Sequence, residues 1–244
     1  MTVGILLAGG IGERVGAGIP KQFIEISEKP ICWYPLKNME ECEQIDAIEV
    51  VCVREYMEQM RKIVRDNGFK KVKWIIPGGA TCQESTYNGI KNLKGVLTDD
   101  DIILIHMTSY PLATSDTMAQ CIGTAKEKGN GCAVRPVLTT LIVTEDGVSG
   151  GKTADPHGYA ASVAPYAFRF GECSRLYDEA YESGHGIAAN CYTNTLYCDN
   201  GKKLYFVRDT QMNLKITTLE DILFMKAILA LQNREHEGEA SVNC

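Results

Sequence analysis

Val3-Gly4-Ile5-Leu6-Leu7-Ala8-Gly9-Gly10-Ile11-Gly12-Glu13-Arg14-Val15-Gly16, followed by Pro20-Lys21-Gln22-Phe23, is the stretch that decides the fold. A short apolar run that breaks into glycines reads as a buried strand ending in a turn. In such a turn, backbone N–H groups approach phosphate oxygens without interference from Cβ. The spacing is not G-x-G-x-x-G, since Val15 stands where the third glycine belongs, and the Gly-Lys-Ser/Thr of a P-loop is missing. The cations set this loop apart. Arg14 inside it and Lys21 just beyond suit a triphosphate, whose charge must be neutralised before a nucleophile can approach.

Outward from that loop, nearly continuous apolar runs at Val3–Ala8, Ala47–Val53, Lys71–Ile76, Asp101–His106 and Gly131–Val137 read as strands buried on both faces. Arg54–Asn67, Gln83–Leu93 and Ser115–Lys128 have helical length, the last with Ser115 and Asp116 as N-cap candidates and Gly129 as its stop. This β-α-β alternation predicts an α/β fold, a doubly wound and mostly parallel open sheet. Residues 138–160 break the rhythm with a hairpin signal at Glu145-Asp146-Gly147 and no helix. They read as either a surface excursion or an arm gripping a second subunit. A helix over Glu172–Ser183, a strand over Leu204–Val207 and a helix over Thr218–Gln232 follow. Thr218 and Asp221 make a capping-box-like start to that last helix, and the polar tail from Asn233 reads as frayed. No repeat or linker divides residues 1–244, so a single domain is expected.

Composition narrows the class. The 25 Lys and Arg against 31 Asp and Glu give a net charge of −6, which argues against a general nucleic-acid binder. No apolar run approaches the roughly 18 residues of a membrane span, and the N-terminus does not read as a signal peptide, so a cytoplasmic location is expected. The 10 cysteines include no C-x-x-C pair and no histidine at finger spacing, which predicts reduced, packed thiols.

The pattern L-A-G-G-x-G-x-R-x-G with P-K-Q-F resembles the cytidylyltransferases that activate sugar-alcohol phosphates, the 2-C-methyl-D-erythritol 4-phosphate and ribitol-5-phosphate enzymes, serving isoprenoid and wall-polymer synthesis respectively. The likeness runs through Gly78–Ser85, His106–Pro111, Ala164–Phe168 and Asn213–Thr217, and the Ala8-Gly9-Gly10 form leans toward the ribitol branch. It implies that Leu7, Ala8, Gly9, Gly10 and Gly12 line the nucleotide, and that Gly79, Ala80 and Ser85 contact the cytosine. It implies that Arg14, Lys21 and Lys215 stabilise charge on the α-phosphate. Thr108 is expected near the substrate, and Thr140 falls at the family's substrate-contacting threonine on an arm that crosses to a second subunit. CTP, a small alditol phosphate and a homodimer follow as expected partners.

Several positions depart from the family pattern. The strand-end His-Asp-Ala-Ala-Arg-Pro becomes His106-Met107-Thr108-Ser109-Tyr110-Pro111, so the aspartate that holds Mg²⁺ is a methionine and an arginine is a tyrosine. An arginine becomes Cys82, the arm's Asp-Arg becomes Asp155-Pro156-His157, and two glutamines become Val163 and Tyr166. Thr-Asp-Asp falls on Cys191, Tyr192 and Thr193, with Asn190 and Asn194 as candidate substitutes. The expectation is CMP transfer from CTP to an alditol phosphate, with Mg²⁺ carried by CTP and no protein metal ligand. The alternative is an impaired nucleotide-binding or scaffold protein on the same fold.

Overall fold

Residues 1–10, 19–184 and 192–242 are described by a computed structural model, the stretch 233–242 as helical backbone. β1 (Thr2–Ala8) leads to a small antiparallel hairpin, β2 (Glu25–Ile26) and β3 (Lys29–Pro30), and to α1 (Trp33–Glu41). β4 (Ala47–Cys52), α2 (Met57–Asp66), β5 (Val72–Pro77), α3 (Cys82–Leu93), β6 (Ile102–Met107), α4 (Ser115–Lys128) and β7 (Asn130–Pro136) continue the alternation. Next come β8 (Leu141–Val143), β9 (Lys152–Ala154), β10 (Ala160–Arg169), α5 (Phe170–Ser183), α6 (Thr193–Asp199), β11 (Phe206–Arg208) and α7 (Leu219–Val242).

Seven strands form the main sheet in the order β11-β7-β10-β6-β1-β4-β5. β1 pairs in parallel with both β4 and β6, and every one of its residues is buried. That two-sided burial explains why its sequence is unbroken by polar residues. The chain moves from β1 outward to β4 and β5, then returns across to β6. The winding therefore reverses beside β1, where α/β sheets open a crevice at the carboxyl ends of their strands. Among the described residues the one antiparallel strand of this sheet is β10, which pairs with β6 and β7. It carries no alternating pattern and holds Pro165, so it did not read as a strand. The register shifts between Ser162 and Tyr166, and that irregularity accommodates a residue without an N–H.

Other differences from expectation lie at element ends. The N-cap of α4 is Thr114, whose hydroxyl accepts from the Thr117 N–H at 3.1 Å; Ser115 and Asp116 are already inside the first turn. A cap must keep extended dihedrals, and Thr114 does, at φ −81° and ψ 157°. Gly129 ends the helix at φ +93°, as expected of a left-handed C-cap. α7 does not fray at Asn233 but continues to Val242. At its start the Thr218 hydroxyl accepts from the Asp221 N–H, and the Asp221 carboxylate accepts from the Thr218 N–H at 2.7 Å. This is the reciprocal cap expected from sequence, with aspartate in the glutamate's place. Trp33 packs on the main core, while Tyr34 joins the smaller cluster of Ile26, Ile31, Ile216, Ile222 and Met225. The cluster clamps α7 and the segment before it to the β2–β3 hairpin.

Among the described residues none of the cysteines is disulfide-bonded, and Cys32, Cys52, Cys121, Cys132 and Cys173 are fully buried. Burial pushes the Cys32 thiol up to about 12, so it packs as a neutral small hydrophobe. No helix of the described residues is long and apolar enough to cross a membrane. Residues 141–154 form an exposed hairpin. The Asp146 carboxylate organises its turn by accepting from the Val148 N–H at 2.9 Å and the Ser149 N–H at 2.8 Å, which holds its pKa well below the usual carboxylate range. Ile142 and Val148 project outward, 62% and 90% exposed.

Candidate active site

A cleft of about 300 Å³ opens at the carboxyl ends of β1 and β6 and the loop after β5. Leu7, Gly9 and Gly10 form one wall, and Gly79, Ala80, Thr81, Cys82 and Ser85 another. Met107, Thr108 and Ser109 close the strand end, with Lys21, Gln22, Tyr192 and Lys215 completing the lining.

The two glycine segments are fixed against each other by side chains behind them. Gln22 is buried and its amide donates to the Ala8 carbonyl at 2.8 Å, tying the loop to the end of β1. The Ser85 hydroxyl accepts from the Gly79 N–H at 3.0 Å and lies 3.3 Å from where a Cβ on Gly9 would stand. The Thr81 hydroxyl caps α3 by accepting from the Glu84 N–H, and the Glu84 carboxylate accepts from the Ala80 N–H at 2.8 Å. A Cβ on Gly79 would stand within 2.4–2.6 Å of the Glu84 side chain, so the loop can close this tightly only with glycine there. Thr108 is held by Leu7, whose carbonyl accepts from both its N–H at 3.0 Å and its hydroxyl at 3.2 Å.

The cations enter from opposite ends of the chain. Ile216, buried in the small cluster, donates its N–H to the Ser109 carbonyl at 2.8 Å and accepts from Lys21 Nζ at 2.6 Å. One residue therefore ties the strand end, Lys21 and the segment bearing Lys215 together. Lys215 Nζ donates to the Tyr192 hydroxyl at 3.0 Å and lies 5.9 Å from the centroid of the Tyr110 ring. Burial pulls the Lys215 ammonium down, but the Tyr192 hydroxyl, with smaller contributions from Tyr110 and Cys82, outweighs it and holds the pKa above the ordinary lysine value.

Of the residues expected from sequence, Leu7, Gly9, Gly10, Lys21, Gly79, Ala80, Ser85, Thr108 and Lys215 meet in this cleft. Ala8 does not line it: alternation along β1 turns its side chain into the core. Thr140 is also away from the cleft, exposed at the foot of the hairpin. Gly12 and Arg14 lie outside the described residues, as does Asn190. Asn194 is buried and donates to the Ser162 hydroxyl, and His157 is exposed beside Asp155 in the short turn that follows the hairpin. His106, at the strand end, is structural. Its Nε2 pairs with the Tyr110 carbonyl at 3.0 Å, and burial lowers its pKa to about 4, so the ring stays neutral. Gln22, Thr81, Ser109 and Tyr192 were not named as site residues, although each lies in a stretch that carries the family resemblance or departs from it.

Mg²⁺ demands hard oxygen ligands at near-octahedral geometry. The described lining offers neutral hydroxyls from Thr81, Thr108 and Ser109 but no carboxylate, and Met107 occupies the end of β6. No cluster of metal-ligating side chains occurs among the described residues. The described residues do not fit a Mg²⁺ site held by protein carboxylates.

Comparison with known proteins agrees with this architecture. The family model for 2-C-methyl-D-erythritol 4-phosphate cytidylyltransferase matches residues 2–231. A ribitol-5-phosphate cytidylyltransferase of Lacticaseibacillus paracasei is 34% identical over 229 residues, covering 94% of this chain and 98% of that one. A 2-C-methyl-D-erythritol 4-phosphate cytidylyltransferase of Clostridium botulinum is 31% identical over 227 residues, covering 92% of this chain and 96% of that one. Among solved structures, the 4-diphosphocytidyl-2C-methyl-D-erythritol synthase of Anaerococcus prevotii superposes with a TM-score of 0.80 at 20% identity. That match covers 94% of this chain and 96% of the other, and shows the shared fold. The chain belongs to the 2-C-methyl-D-erythritol 4-phosphate cytidylyltransferase family.

Proposed function

We propose that, as a member of that family, this chain transfers CMP from CTP to a sugar-alcohol phosphate, with ribitol 5-phosphate as the acceptor. The observation that carries the reading is the convergence of two lysines and two glycine loops on one cleft. A phosphate oxygen of the acceptor attacks the α-phosphorus of CTP, the bond from that phosphorus to the β-bridging oxygen breaks, and pyrophosphate leaves. Lys21 and Lys215 offset the negative charge that accumulates as the bond breaks, and Arg14 belongs to the same role by its place in the glycine loop. The backbone around Gly9 and Gly10 receives the nucleotide. Gly79, Ala80 and Ser85 form a narrow slot for the cytosine. Mg²⁺ enters as the counter-ion of CTP rather than as a resident metal.

The ribitol acceptor is supported by the Ala8-Gly9-Gly10 form and by relatives of that name. 2-C-methyl-D-erythritol 4-phosphate is the second reading, supported by the family model and the clostridial relative. The exposed hairpin, with Ile142 and Val148 turned outward, reads as the contact to a second copy, which would bring Thr140 toward the neighbour's cleft. The buried, unbridged thiols agree with a reducing cytoplasm. Pyrophosphate release with each acceptor tests the central reading. Faster turnover with ribitol 5-phosphate is expected, and no release with either one in the presence of CTP and Mg²⁺ would overturn it.

A further inference from the structure

Lys215 carries a net charge with little to neutralise it. Among the described residues its one hydrogen bond is to the Tyr192 hydroxyl, and it makes no ion pair with a carboxylate. A lysine side chain has four rotatable bonds, so an ammonium that must meet phosphate oxygens needs something to hold it. A carboxylate would hold it but also cancel its charge. A phenol holds it without doing so. The Tyr192 ring adds a second contact, with its centroid 5.2 Å from Lys215 Nζ, and Tyr110 stands at 5.9 Å. Tyr192 is itself fixed: it is the N-cap residue of α6, and its carbonyl accepts from the Leu196 N–H at 2.9 Å. Leu196 and Tyr197 then anchor that helix, both fully buried.

From this geometry we infer that Tyr192 is a positioning residue: its hydroxyl holds the Lys215 ammonium in the cleft as an uncancelled cation for the phosphates of the nucleotide. The inference rests on the proposed cytidylyl transfer, and it gives a role to a side chain standing where the family pattern has an acid.

Tyr192→Phe, Lys215→Ala and the double variant, together with the unaltered protein, form a cycle that tests it. Tyr192→Phe keeps the ring and removes only the hydroxyl, so the thermal midpoint should not move. Its kcat should fall about tenfold, the scale of one charge-assisted hydrogen bond, with KM for CTP little changed. In the Lys215→Ala background the same change should have no further effect, because Tyr192 acts through the lysine. An equal loss in both backgrounds, or no loss in either, would overturn the inference. Inorganic pyrophosphate binding, measured by calorimetry across the same four proteins, separates this from the functional reading. If the unaltered protein makes no CDP-alditol, the functional reading fails. Weaker pyrophosphate binding by Tyr192→Phe only when Lys215 is present would still support the positioning role, and its absence would overturn it.

Discussion

The end of the cleft around Gly9, Gly79 and Ser85 is held by backbone and hydroxyl hydrogen bonds on a buried framework, whereas the end around Met107, Lys215 and Tyr192 is walled by side chains from three separate segments. At the first end the geometry is set by what a Cβ would strike, and only glycine satisfies it at Gly79. At the second it is set by which side chains happen to meet, so the residue types can change while the fold stays. The difference teaches where such a cleft tolerates substitution: the glycine end only by moving its backbone, the side-chain end by exchanging residues on an unchanged fold.

The largest effect that would sharpen this comparison is expected from Lys21→Ala. Lys21 joins the two halves through the Ile216 carbonyl as well as facing the cleft. Its loss should lower kcat/KM by about 10²–10³-fold in a pyrophosphate-release assay, on the scale of one preorganised electrostatic contact. Gly79→Ala comes next. The new methyl meets the Glu84 side chain, so the loop must open, weakening CTP binding about tenfold and lowering stability by about 1–3 kcal/mol in denaturant titration. Retention of full CTP affinity in this variant would break the idea that the glycine end is sterically fixed.

Why the two halves differ in legibility follows from the same physics. Glycine loops at strand ends and the Pro-Lys-Gln step announce themselves because local backbone geometry demands those residue types in that order. β1, β4 and β6 were legible because both their faces are covered, while β5, half-buried at the sheet edge, and β7 were legible from their apolar runs alone. β10 was not, since Pro165 and a register shift hide a central strand. Tyr192 was not either: it reaches Lys215 from 23 residues away, and no local spacing encodes that meeting. Ala8 shows the reverse: it belongs to the motif, yet strand alternation turns its side chain inward.

A smaller effect concerns a buried acid between the sheet and α3. Glu49 on β4 is fully buried under α3, its Oε1 accepts from the Asn92 amide at 2.6 Å, and its Oε2 has no partner among the described residues. Burial raises its pKa from 4.5 to about 8, with the Asn92 hydrogen bond opposing. Between those values the folded protein binds a proton that the unfolded chain has released. Stability should therefore fall as pH rises through this window and level off above it. Glu49→Gln should flatten that part of the profile in thermal melts at several pH values; an unchanged slope would assign it to other groups. The smallest effect is expected at the hairpin. Asp146→Ala loosens an exposed turn far from the cleft, so CTP binding should be unaltered by calorimetry.

CTP binding by calorimetry, with and without Mg²⁺ and with ATP and UTP as controls, tests most directly whether the cleft of glycine loops and lysines is a nucleotide site. Binding selective for CTP, tightened by Mg²⁺ and lost in Lys21→Ala, is the predicted result. Equal binding of all three nucleotides, or none by a folded protein, would contradict it.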